Sequence, residues 1–440
     1  KPIISSDLKS IKEILTYNHD AILCDPDNFQ EWIRAIERLN NNKDLVSRIS
    51  QNAYKSFLLK FTWDIRALNI IKEYKKLEIT IFNFSLSGGG TEYMLSVLFN
   101  KLTFLKRYNV NLLICQSGGH YESKILNKER LFFLNKERVI FSLFKLYKFI
   151  KNSQTQILLT SMLHTNVISI FLKIYFLPHL KVIIRESNTI SLKFLYDKSL
   201  KSKILNFLAK KVYKKADAII APTNVIKNDL IKNYDVKPNL IHKISNPYDF
   251  DEIEKLSNKT LTKKEKKLLD NDYFLSIGRL HPQKNFSFLI KLFKNITLIK
   301  KFENYKLYIL GDGRDRSKLQ RQIHRLNLTK KVKLLGFKPN PFVYMKKCKI
   351  FILSSIYEGH SNVLVHSQYF NNRIFSSSAG GANKEVLDSN GVIFNSYDPL
   401  KVSGLIKQNL NFKKKRISRK KLLKKFSDKN ITYKVEKLFY

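Results

Sequence analysis

Two basic residues beside one glycine form the first chemical signal in the chain. Gly278 ends the short apolar run at residues 274–277, and Arg279 and Lys284 follow it. Such a run predicts a buried parallel strand, and ligands of doubly wound sheets bind beyond the carboxyl ends of the strands. Because guanidinium and ammonium groups both bind phosphate oxygens, we expect the two cations to hold a diphosphate. Two ordinary basic residues in a surface loop are the alternative in a chain so rich in lysine.

A glutamate–glycine pair follows a later predicted strand. The apolar run Ile350–Leu353 predicts that strand, Glu358 and Gly359 lie in the turn after it, and a predicted helix begins at Asn362. The backbone amides after Gly359 therefore lie at the amino end of a helix. There they can stabilise an anion such as a departing nucleoside diphosphate.

Short apolar runs and helical periodicity alternate strictly through the second half of the chain. Glycines, including Gly278 and Gly311, end several predicted strands, so that backbone can approach a nucleotide there. The alternation is typical of a parallel sheet with helices on both faces, and it predicts an α/β fold. The predicted strands and helices occupy residues 274–277, 285–296, 306–310, 316–326, 332–335, 341–347, 350–353 and 362–369.

The first half carries a similar pattern. A strand predicted at residues 79–84 is followed by Gly88, Gly89 and Gly90 and then by a helix from Thr91. A glycine-rich loop between a strand and a helix can cradle a phosphate, although a glycine triplet also suits an ordinary tight turn. Further strands are predicted at residues 110–115, 156–160, 181–184 and 218–221.

Five stretches occur in the order and at the spacing of one enzyme family. They are NFSLSGGGTEYML, ADAIIAPTNVIKNDL, SIGRLHPQKN, YILGDGRDRSKL and KLLGFKPNPFVYMKKCKIFILSSIYEGHSNVL. On these motifs residues 77–440 resemble the retaining GT-B glycosyltransferases of family 4, which build bacterial polysaccharides and glycolipids. The resemblance implies two Rossmann-like domains facing each other across a cleft. The nucleotide sugar would bind mostly to the second domain and the glycolipid or glycan acceptor mostly to the first, with no cofactor and no metal ion.

The resemblance also implies roles for individual residues. Arg279, Lys284 and Glu358 match the catalytic positions, and Glu358 is the one that contacts the donor sugar. His164 and Glu186 match positions on the acceptor side of the cleft. The implied donor-binding residues are Gly88, Gly89, Gly90, Gly278, Gly311, Gly359, Asn362, His366 and Glu385.

Two positions depart from the family pattern. A second glutamate normally follows eight residues after the position of Glu358 and binds both ribose hydroxyls, but this chain has His366 there. A neutral imidazole offers one acceptor and one donor, so donor affinity, or activity itself, is in question. Ser378 stands where many members have aspartate. His366 therefore keeps open an inactive, glycosyltransferase-like partner protein. Nucleotide-sugar 2-epimerases share the architecture and are a further alternative, but they lack this set of glycine, basic and glutamate residues.

Residues 1–76 repeat features of the carboxyl-terminal end of the same chain. The paired segments are residues 6–15 and 378–387, 21–26 and 392–399, and 60–63 and 425–428. We interpret residues 1–76 as the end of a second family member whose front is missing, and the chain as a fragment of a tandem protein or a truncated fusion. This segment has no counterparts of Arg279, Lys284 and Glu358, so we expect it to be inactive.

The expected organisation of the rest follows from these motifs. Residues 77–254 form the acceptor-side Rossmann-like domain and residues 255–415 the domain that binds the nucleotide sugar. Residues 416–440 form basic helices that pack back toward the first domain. Residues 255–271 are highly charged and are predicted to be a hinge or linker.

Two aspartate pairs have the spacing found in metal-dependent transferases. Asp25 and Asp27 follow an apolar run, where two carboxylates could hold a divalent ion, but the repeat places a turn before a helix at this point. Asp270 and Asp272 precede their strand instead of following it. We therefore expect neither pair to bind a metal ion.

The chain is strongly basic. Its net charge is +44, from 80 basic and 36 acidic residues, and residues 401–440 alone contain 14 Lys or Arg and two acids. Such a balance suggests nucleic acid or an anionic membrane, although the abundance of Lys, Asn and Ile together is also typical of an AT-rich genome. Nucleic acid is not expected as a partner, because the basic clusters lie outside the motifs above and no aromatic-rich recognition motif is present.

One predicted helix combines lysines with an apolar stripe. Residues 193–215 contain eight lysines and one aspartate, with Leu200, Ile204, Leu208 and Val212 along one helical face. This composition suits a helix lying on an anionic bilayer, whereas a core-facing stripe with a solvated lysine face is the alternative. No uncharged stretch is long enough to span a bilayer, and three cysteines form no disulfide framework. We expect a cytoplasmic protein. If the helix lies on a bilayer, the protein also contacts the inner membrane face as a peripheral protein.

Overall fold

The computed structural model describes residues 1–67, 76–409 and 418–440. The fold divides into two compact units, Lys1–Lys76 and Leu77–Tyr440. The boundary expected at residues 415/416 lies outside the described residues.

The first unit opens with a strand, a helix, a second strand and two further helices. Its elements are β1 (Ile4–Ser6), α1 (Lys9–Lys12), β2 (Ile22–Cys24), α2 (Phe29–Asn40) and α3 (Lys43–Lys60). Strands β1 and β2 pair in parallel, with Ile4 opposite Ile22. Buried residues of β2, α2 and α3 form a small apolar core.

A seven-stranded parallel sheet organises the first part of the larger unit. Its strands are β3 (Leu77–Asn83), β4 (Tyr108–Ile114), β5 (Leu131–Phe133), β6 (Ile157–Ser161), β7 (Lys181–Arg185), β8 (Ala218–Ala221) and β9 (Ile241–Lys243). They lie in the order β5–β4–β3–β6–β7–β8–β9. The order reverses between β3 and β6, so these two strands form the switch point of the sheet.

Helices cover both faces of this first sheet. They are α4 (Gly90–Phe104), α5 (Leu143–Asn152), α6 (Leu163–Tyr175), α7 (Ile190–Tyr196), α8 (Leu200–Val212) and α9 (Asn224–Tyr234). Most buried apolar residues of α4 belong to one apolar cluster, and those of α5, α6, α8 and α9 belong to another. The neighbouring strand residues Ile183 and Ile184 are divided between the two clusters. Because alternate side chains of a strand point to opposite faces, the clusters lie on opposite sides of the sheet.

A second parallel sheet has six strands. They are β10 (Tyr273–Ile277), β11 (Lys306–Leu310), β12 (Val332–Leu334), β13 (Ile350–Leu353), β14 (Arg373–Ser377) and β15 (Val392–Phe394). Their order is β12–β11–β10–β13–β14–β15, with the switch point between β10 and β13. The predicted α/β fold with parallel sheets is confirmed, and the predicted strands of this sheet agree with the structure to within one residue.

The helices of this second part surround its sheet and end against the first part. They are α10 (Phe250–Ser257), α11 (Lys263–Leu269), α12 (Phe286–Ile296), α13 (Arg316–Arg325), α14 (Phe342–Lys347), α15 (Asn362–Tyr369), α16 (Ala382–Leu387), α17 (Pro399–Gln408), α18 (Arg419–Phe426) and α19 (Asp428–Glu436). The last helix packs on α4. The Lys101 ammonium lies 2.9 Å from the Asp428 carboxylate, and Arg107 pairs with Glu436.

The charged segment at residues 255–271 is helical where a hinge or linker was predicted. The boundary expected at residues 254/255 falls inside α10, and α11 follows after a short turn. Thr262 and Glu265 form a reciprocal capping box at the start of α11, in which each side chain accepts the backbone N–H of the other residue. The dense charges of this segment are therefore the exposed faces of two capped helices.

The apolar stripe predicted on α8 faces outward for most of its length. Leu200, Ile204 and Leu208 are exposed, whereas Ser202 and Ala209 on the other side of the helix are buried. The alternative of a core-facing stripe is therefore wrong for these three leucine and isoleucine residues. No described helix combines the length and the apolar composition that a membrane-spanning segment needs.

Candidate active site

Loops from the two switch points contact each other. Gly90 follows β3 and Asn362 follows β13, and the Asn362 side-chain amide donates a hydrogen bond to the Gly90 carbonyl at 3.0 Å. Ligands of doubly wound sheets bind beyond the carboxyl ends of the strands at such points. Predicted residues from both parts of the larger unit are thereby brought into one region.

Two predicted catalytic residues are in direct contact. Lys284, in the loop after β10, places its Nζ on Oε1 of Glu358, in the loop after β13. The Ser355 hydroxyl donates to the same oxygen at 2.6 Å. The Lys284 and Glu358 side chains are only 18% and 7% exposed. Because a buried carboxylate needs a compensating charge and hydrogen bonds, Lys284 stabilises this loop, and the alternative of an ordinary surface lysine is wrong.

Arg279 differs from Lys284 because its side chain is exposed. It lies close enough to Glu92, in the first turn of α4, to affect that carboxyl group. Burial raises the pKa of Glu92, and its backbone hydrogen bond and the Arg279 charge partly offset the rise. The guanidinium is therefore positioned near the start of α4, where it is free to bind an anion.

The glycines beneath this cation permit a close backbone approach. Gly311 has φ +135°, and a Cβ atom there would lie 1.9 Å from the Gly278 carbonyl oxygen. A Cβ atom on Gly278 would lie 3.2 Å from the aliphatic stem of Lys284. The predicted glycine positions are thus explained by packing between the loops after β10 and β11.

The glycine triplet after β3 also approaches the second part closely. Gly88 has φ +141°, and a Cβ atom there would meet the Phe337 ring at 3.4 Å. A Cβ atom on Gly90 would lie 2.8 Å from the Asn362 amide nitrogen, and one on Gly89 would lie 2.4 Å from the Glu92 carboxylate. The triplet lets the two parts come together, a requirement beyond the tight turn or phosphate cradle predicted from the sequence.

The Asn362 side chain links three segments. Its Oδ1 accepts hydrogen bonds from the Asn246 amide at 2.6 Å and from the Tyr248 hydroxyl at 2.7 Å. Both donors follow β9, and Asn362 donates in turn to Gly90. Most of the hydrogen-bonding capacity of this amide is used within the protein. The contact of Asn362 with a donor stays a prediction.

Hydroxyl groups from the first part hold the backbone of the glutamate–glycine pair. Thr189 donates to the Glu358 carbonyl at 3.2 Å, and Thr223 donates to the Gly359 carbonyl at 3.1 Å. A Cβ atom on Gly359 would lie 2.1 Å from the Ser187 carbonyl oxygen. Residue 359 therefore has no room for a side chain in this arrangement.

Glu186 supports the turn that touches Gly359. Its carboxylate accepts hydrogen bonds from the Tyr213 hydroxyl at 2.7 Å and from the Ser187 backbone at 2.9 Å. The residue is only 2% exposed, and burial raises its pKa. The structure therefore gives Glu186 a positioning role, and its contact with the acceptor stays a prediction.

His164 remains a candidate on the acceptor side. It lies at the start of α6, is partly exposed, and meets the Phe84 ring edge-on at 5.6 Å. Burial, together with the nearby charges of Lys193 and Lys201, lowers its pKa to about 4. The imidazole is thus neutral near pH 7 and able to accept a hydrogen bond.

His366 is enclosed by aromatic rings. It meets Tyr93, Tyr248 and Phe342 edge-on, with centroids 6.0, 5.2 and 5.1 Å away. Burial lowers the pKa of His366 to about 3. Its Nε2 is buried and has no hydrogen-bond partner in the described part of the chain. The Nε2 atom is therefore available for a hydrogen bond to a ligand. The predicted contact of His366 with the ribose stays a prediction.

Glu385 contacts the first part of the unit, and its predicted contact with the donor stays a prediction. Both of its carboxylate oxygens accept the Asn224 backbone N–H, at 3.0 and 2.8 Å, and one lies 2.6 Å from the Lys243 ammonium. Asn224 begins α9, so the carboxylate also interacts favourably with the positive end of that helix. The structure thus shows a link between the two parts at the predicted donor-binding residue.

Local contacts occupy the two aspartate pairs. The Asp27 backbone donates to the Asp25 carboxylate at 2.9 Å, and Asp272 lies 3.6 Å from the Lys349 ammonium. No cluster of three or more His, Cys, Asp or Glu side chains that could hold a metal ion occurs within residues 1–67, 76–409 and 418–440.

Sequence reasoning missed the residues that join the two parts. Asn246 and Tyr248 flank Pro247 directly after β9, and Thr189 and Thr223 each precede a helix of the first part. An Asn-Pro dipeptide indicates a turn and could have drawn attention to the first pair. The two threonines read as ordinary helix-start residues.

Two family models match most of the larger unit. One, described as Glycosyltransferase Family 4, matches residues 89–252, and the other, described as Glycosyl transferases group 1, matches residues 257–426. The chain carries the two domains of a GT-B glycosyltransferase. The first sheet and its helices belong to one domain and the second sheet belongs to the other.

Relatives of this glycosyltransferase include archaeal and bacterial proteins. An uncharacterized glycosyltransferase of Methanocaldococcus jannaschii is 36% identical over 44% of this chain, which spans about half (47%) of that relative's length. The Campylobacter jejuni N-acetylgalactosamine-N,N'-diacetylbacillosaminyl-diphospho-undecaprenol 4-alpha-N-acetylgalactosaminyltransferase is 29% identical, over 66% of this chain and 78% of its own. A second Campylobacter alpha-1,4-N-acetyl-D-galactosaminyltransferase is 28% identical, over 78% of this chain and 93% of its own.

Solved structures share the fold at low identity. The Anabaena protein HepE in complex with UDP-glucose has a TM-score of 0.67 and 17% identity, covering 82% of this chain and 99% of HepE. A Rickettsia africae glycosyltransferase has a TM-score of 0.64 and 16% identity, covering 83% and 98% of the two chains. These similarities confirm the GT-B fold.

Proposed function

We propose that residues 77–440 transfer a sugar from a nucleotide-sugar donor to a glycolipid or glycan acceptor, with retention of anomeric configuration and without a metal ion. The contact between Lys284 and Glu358, with Arg279 beside it at the carboxyl ends of β10 and β13, is the observation that carries the proposal. The names of the two Campylobacter relatives and the UDP-glucose in the HepE complex support the substrate classes.

The basic residues stabilise the leaving group in this proposal. The bond from the anomeric carbon to the diphosphate breaks and a bond to the acceptor hydroxyl oxygen forms, with the hydroxyl proton passing to the departing diphosphate. Negative charge therefore grows on the phosphate oxygens during the transfer. Arg279 offers a planar fork to these oxygens, and Lys284 offers a point charge. The backbone amides at the amino end of α15 add fixed donors. Since Lys284 already contacts Glu358, donor phosphates must share its ammonium, and the Glu358 carboxylate then becomes available to the sugar hydroxyls.

His164 acts on the acceptor side in this scheme. With a pKa of about 4, its imidazole is unprotonated near pH 7 and can accept a hydrogen bond from an incoming hydroxyl group. Glu186 positions the adjoining turn through its hydrogen bonds to Tyr213 and to the Ser187 backbone.

We infer that residues 1–76 are the end of a second unit of the same family. Their parallel pair β1–β2 with α2 after it repeats the order of β14, β15 and α17 in the larger unit. This shared order of elements supports the repeat seen in the sequence.

A panel of nucleotide sugars tests the main proposal. We expect one UDP- or GDP-sugar to raise the melting temperature of the native protein and not that of a Lys284→Met variant. NMR of the same donor without acceptor should show no change at C2, whereas a 2-epimerase would invert that centre. If no nucleotide or nucleotide sugar alters the melting temperature, the transferase proposal fails in favour of an inactive partner, the alternative that the buried His366 keeps open.

A further inference from the structure

The outer surface of helices α5, α6 and α8 is rich in exposed apolar side chains. Leu200 and Phe207 on α8 are 74% and 59% exposed. A large exposed apolar patch rimmed by polar residues marks a site of interaction with another protein or with a membrane. The other members of this surface, which we call the α5–α6–α8 face, are Ile140, Phe141, Phe144, Phe171, Ile174, Tyr175, Phe176, Ile204 and Leu208.

The three helices form one layer on the same side of the first sheet. Their inner residues, such as Leu146, Ile170 and Ala209, belong to a single buried cluster. Helices α6 and α8 pack against each other. Helix α5 joins them through Tyr147, whose ring lies 6.0 Å from that of Phe176. The exposed apolar residues therefore lie on helices that pack side by side, and the ring of Phe171 contacts those of Tyr175 and Phe176.

Lysines surround these apolar side chains. Residues 193–215 carry eight lysines against one aspartate. In the described part of the chain, Lys201, Lys203, Lys210 and Lys211 form no ion pair with a carboxylate. Unpaired positive charge beside exposed Leu, Ile and Phe matches a surface that is anionic outside and apolar within. We propose that the α5–α6–α8 face docks on an anionic lipid bilayer.

The face is connected to the candidate active site by α7. Tyr196, at the end of α7, stacks on Tyr357 with ring centroids 5.6 Å apart and planes 11° apart. Tyr357 immediately precedes Glu358. Docking through α8 therefore holds the mouth of the cleft next to the membrane surface, where the head group of a lipid-linked acceptor lies. The access of the cleft to a lipid-linked acceptor rests on the proposed function, whereas the docking of the α5–α6–α8 face on a bilayer does not.

Vesicle co-sedimentation tests the proposal with the full chain. The probe is a vesicle of phosphatidylcholine containing about one third phosphatidylglycerol, compared with a vesicle of phosphatidylcholine alone. We expect binding to the anionic vesicle that weakens as salt is raised. Each lysine near such a surface contributes roughly fivefold, so a Lys210→Gln/Lys211→Gln variant should lose at least tenfold in partitioning. An Ile204→Ser/Phe207→Ser variant, with unchanged charge, should lose binding through its apolar contacts.

Matched controls come from the second domain. Leu298 is as exposed as Leu200 and lies beside Lys300 and Lys301. Leu298→Ser and Lys300→Gln/Lys301→Gln should therefore bind vesicles like the native protein. Equal binding to both vesicle types, or equal losses in the control variants, would overturn the proposal. So would light scattering that shows a dimer in the native protein and a monomer in the α8 variants, because the face would then be covered by a second copy.

Nucleotide binding separates this result from the proposed function. All variants should bind UDP, or the nucleotide identified by the donor panel, with unchanged affinity in calorimetry. Vesicle binding without any nucleotide binding would support docking and reject the transferase. Nucleotide binding without vesicle binding would reject docking and leave the transferase standing.

Discussion

The ammonium of Lys284 lies on the Glu358 carboxylate, so two groups that are proposed to act on the donor neutralise each other across β10 and β13. The pair is shielded from water, and Ser355 adds a hydrogen bond to the same oxygen. Removal of either partner therefore affects the fold as well as the chemistry.

Replacement of the two basic residues should separate these effects. Lys284→Ala and Arg279→Ala should each lower turnover by roughly 10²–10³, because each removes one charge that stabilises the leaving group. Only Lys284→Ala should also lower the free energy of unfolding, by roughly 1–3 kcal/mol, because it leaves the buried Glu358 unpaired. Urea unfolding and initial rates measure the two quantities.

A double variant provides the control for this pair. Lys284→Met/Glu358→Gln removes both charges and should regain most of the lost stability while turnover stays low. Equal stability of Lys284→Ala and the native protein would contradict the buried ion pair, and near-normal turnover of both single variants would contradict the diphosphate assignment.

Substitution of His366 tests whether its free nitrogen meets the donor. His366→Glu restores the residue type of the family but places a carboxylate among Tyr93, Tyr248 and Phe342. It should therefore lower the free energy of unfolding by roughly 1–3 kcal/mol. His366→Phe should fold normally and, if Nε2 binds the ribose, weaken donor binding roughly tenfold. Calorimetry measures the donor affinity of the native protein and of the variants. An unchanged affinity in His366→Phe would exclude the ribose contact.

The buried histidines should make the protein sensitive to mild acid. Burial lowers the pKa of His360 and His366 to about 3, whereas an unfolded histidine has a pKa of about 6.5. Between these values the unfolded state binds more protons, so the free energy of unfolding falls as pH drops below about 6.5. Each histidine contributes up to roughly 1.4 kcal/mol per pH unit. Urea unfolding from about pH 7.5 to 5 measures this slope. His366→Phe should show a shallower slope, and identical slopes would contradict the prediction.

Glu385 should control how firmly the two domains associate. Glu385→Gln keeps one acceptor for the Asn224 N–H but loses the charge that pairs with Lys243. We expect a modest loss in stability, of up to about 1 kcal/mol, because the pair is partly exposed. The radius of gyration measured by small-angle scattering should increase, because the two domains would be held together less firmly. Lys384→Gln, on the exposed side of the same helix, is the control. A native scattering profile for Glu385→Gln would show that this contact does not hold the domains together.

Deletion of residues 1–76 should leave donor binding intact. The structure separates this segment from Leu77–Tyr440 as a compact unit, and all candidate site residues belong to the larger one. Calorimetry with the donor compares the full chain and the truncated chain. A folded truncation that fails to bind would show that the leading segment completes the site.

Local patterns were sufficient to predict four of the six strands of the second sheet, β10 to β13, and the loops that follow them. Strand β11 and helix α15 begin and end at the predicted residues, because a buried parallel strand and an amphipathic helix each have a characteristic period. The glycines at 278 and 311 allow their two loops to approach each other closely, and the predicted approach of a nucleotide to them stays a prediction.

Contacts between the domains could not be predicted in the same way. Thr189 meets Glu358, and Asn224 meets Glu385, across more than a hundred residues of sequence. The local spacing of apolar residues carries no information about such long-range contacts. The resemblance implied donor-binding roles for Glu385 and Asn362, but it did not reveal these partners. The charge of residues 255–271 misled in a different way, because charged residues on capped surface helices resemble a linker in composition.

The close contact at Gly359 offers a way to separate the two domains by a single substitution. Its α-carbon faces the Ser187 carbonyl so closely that a single methyl group cannot be inserted while the domains are together. Gly359→Ala should therefore keep the cleft open, because the added methyl group clashes with the Ser187 carbonyl. The substitution removes no charge and no hydrogen-bonding side chain. We expect such a protein to keep the two domains apart, so that the surfaces on both sides of the cleft can be studied separately.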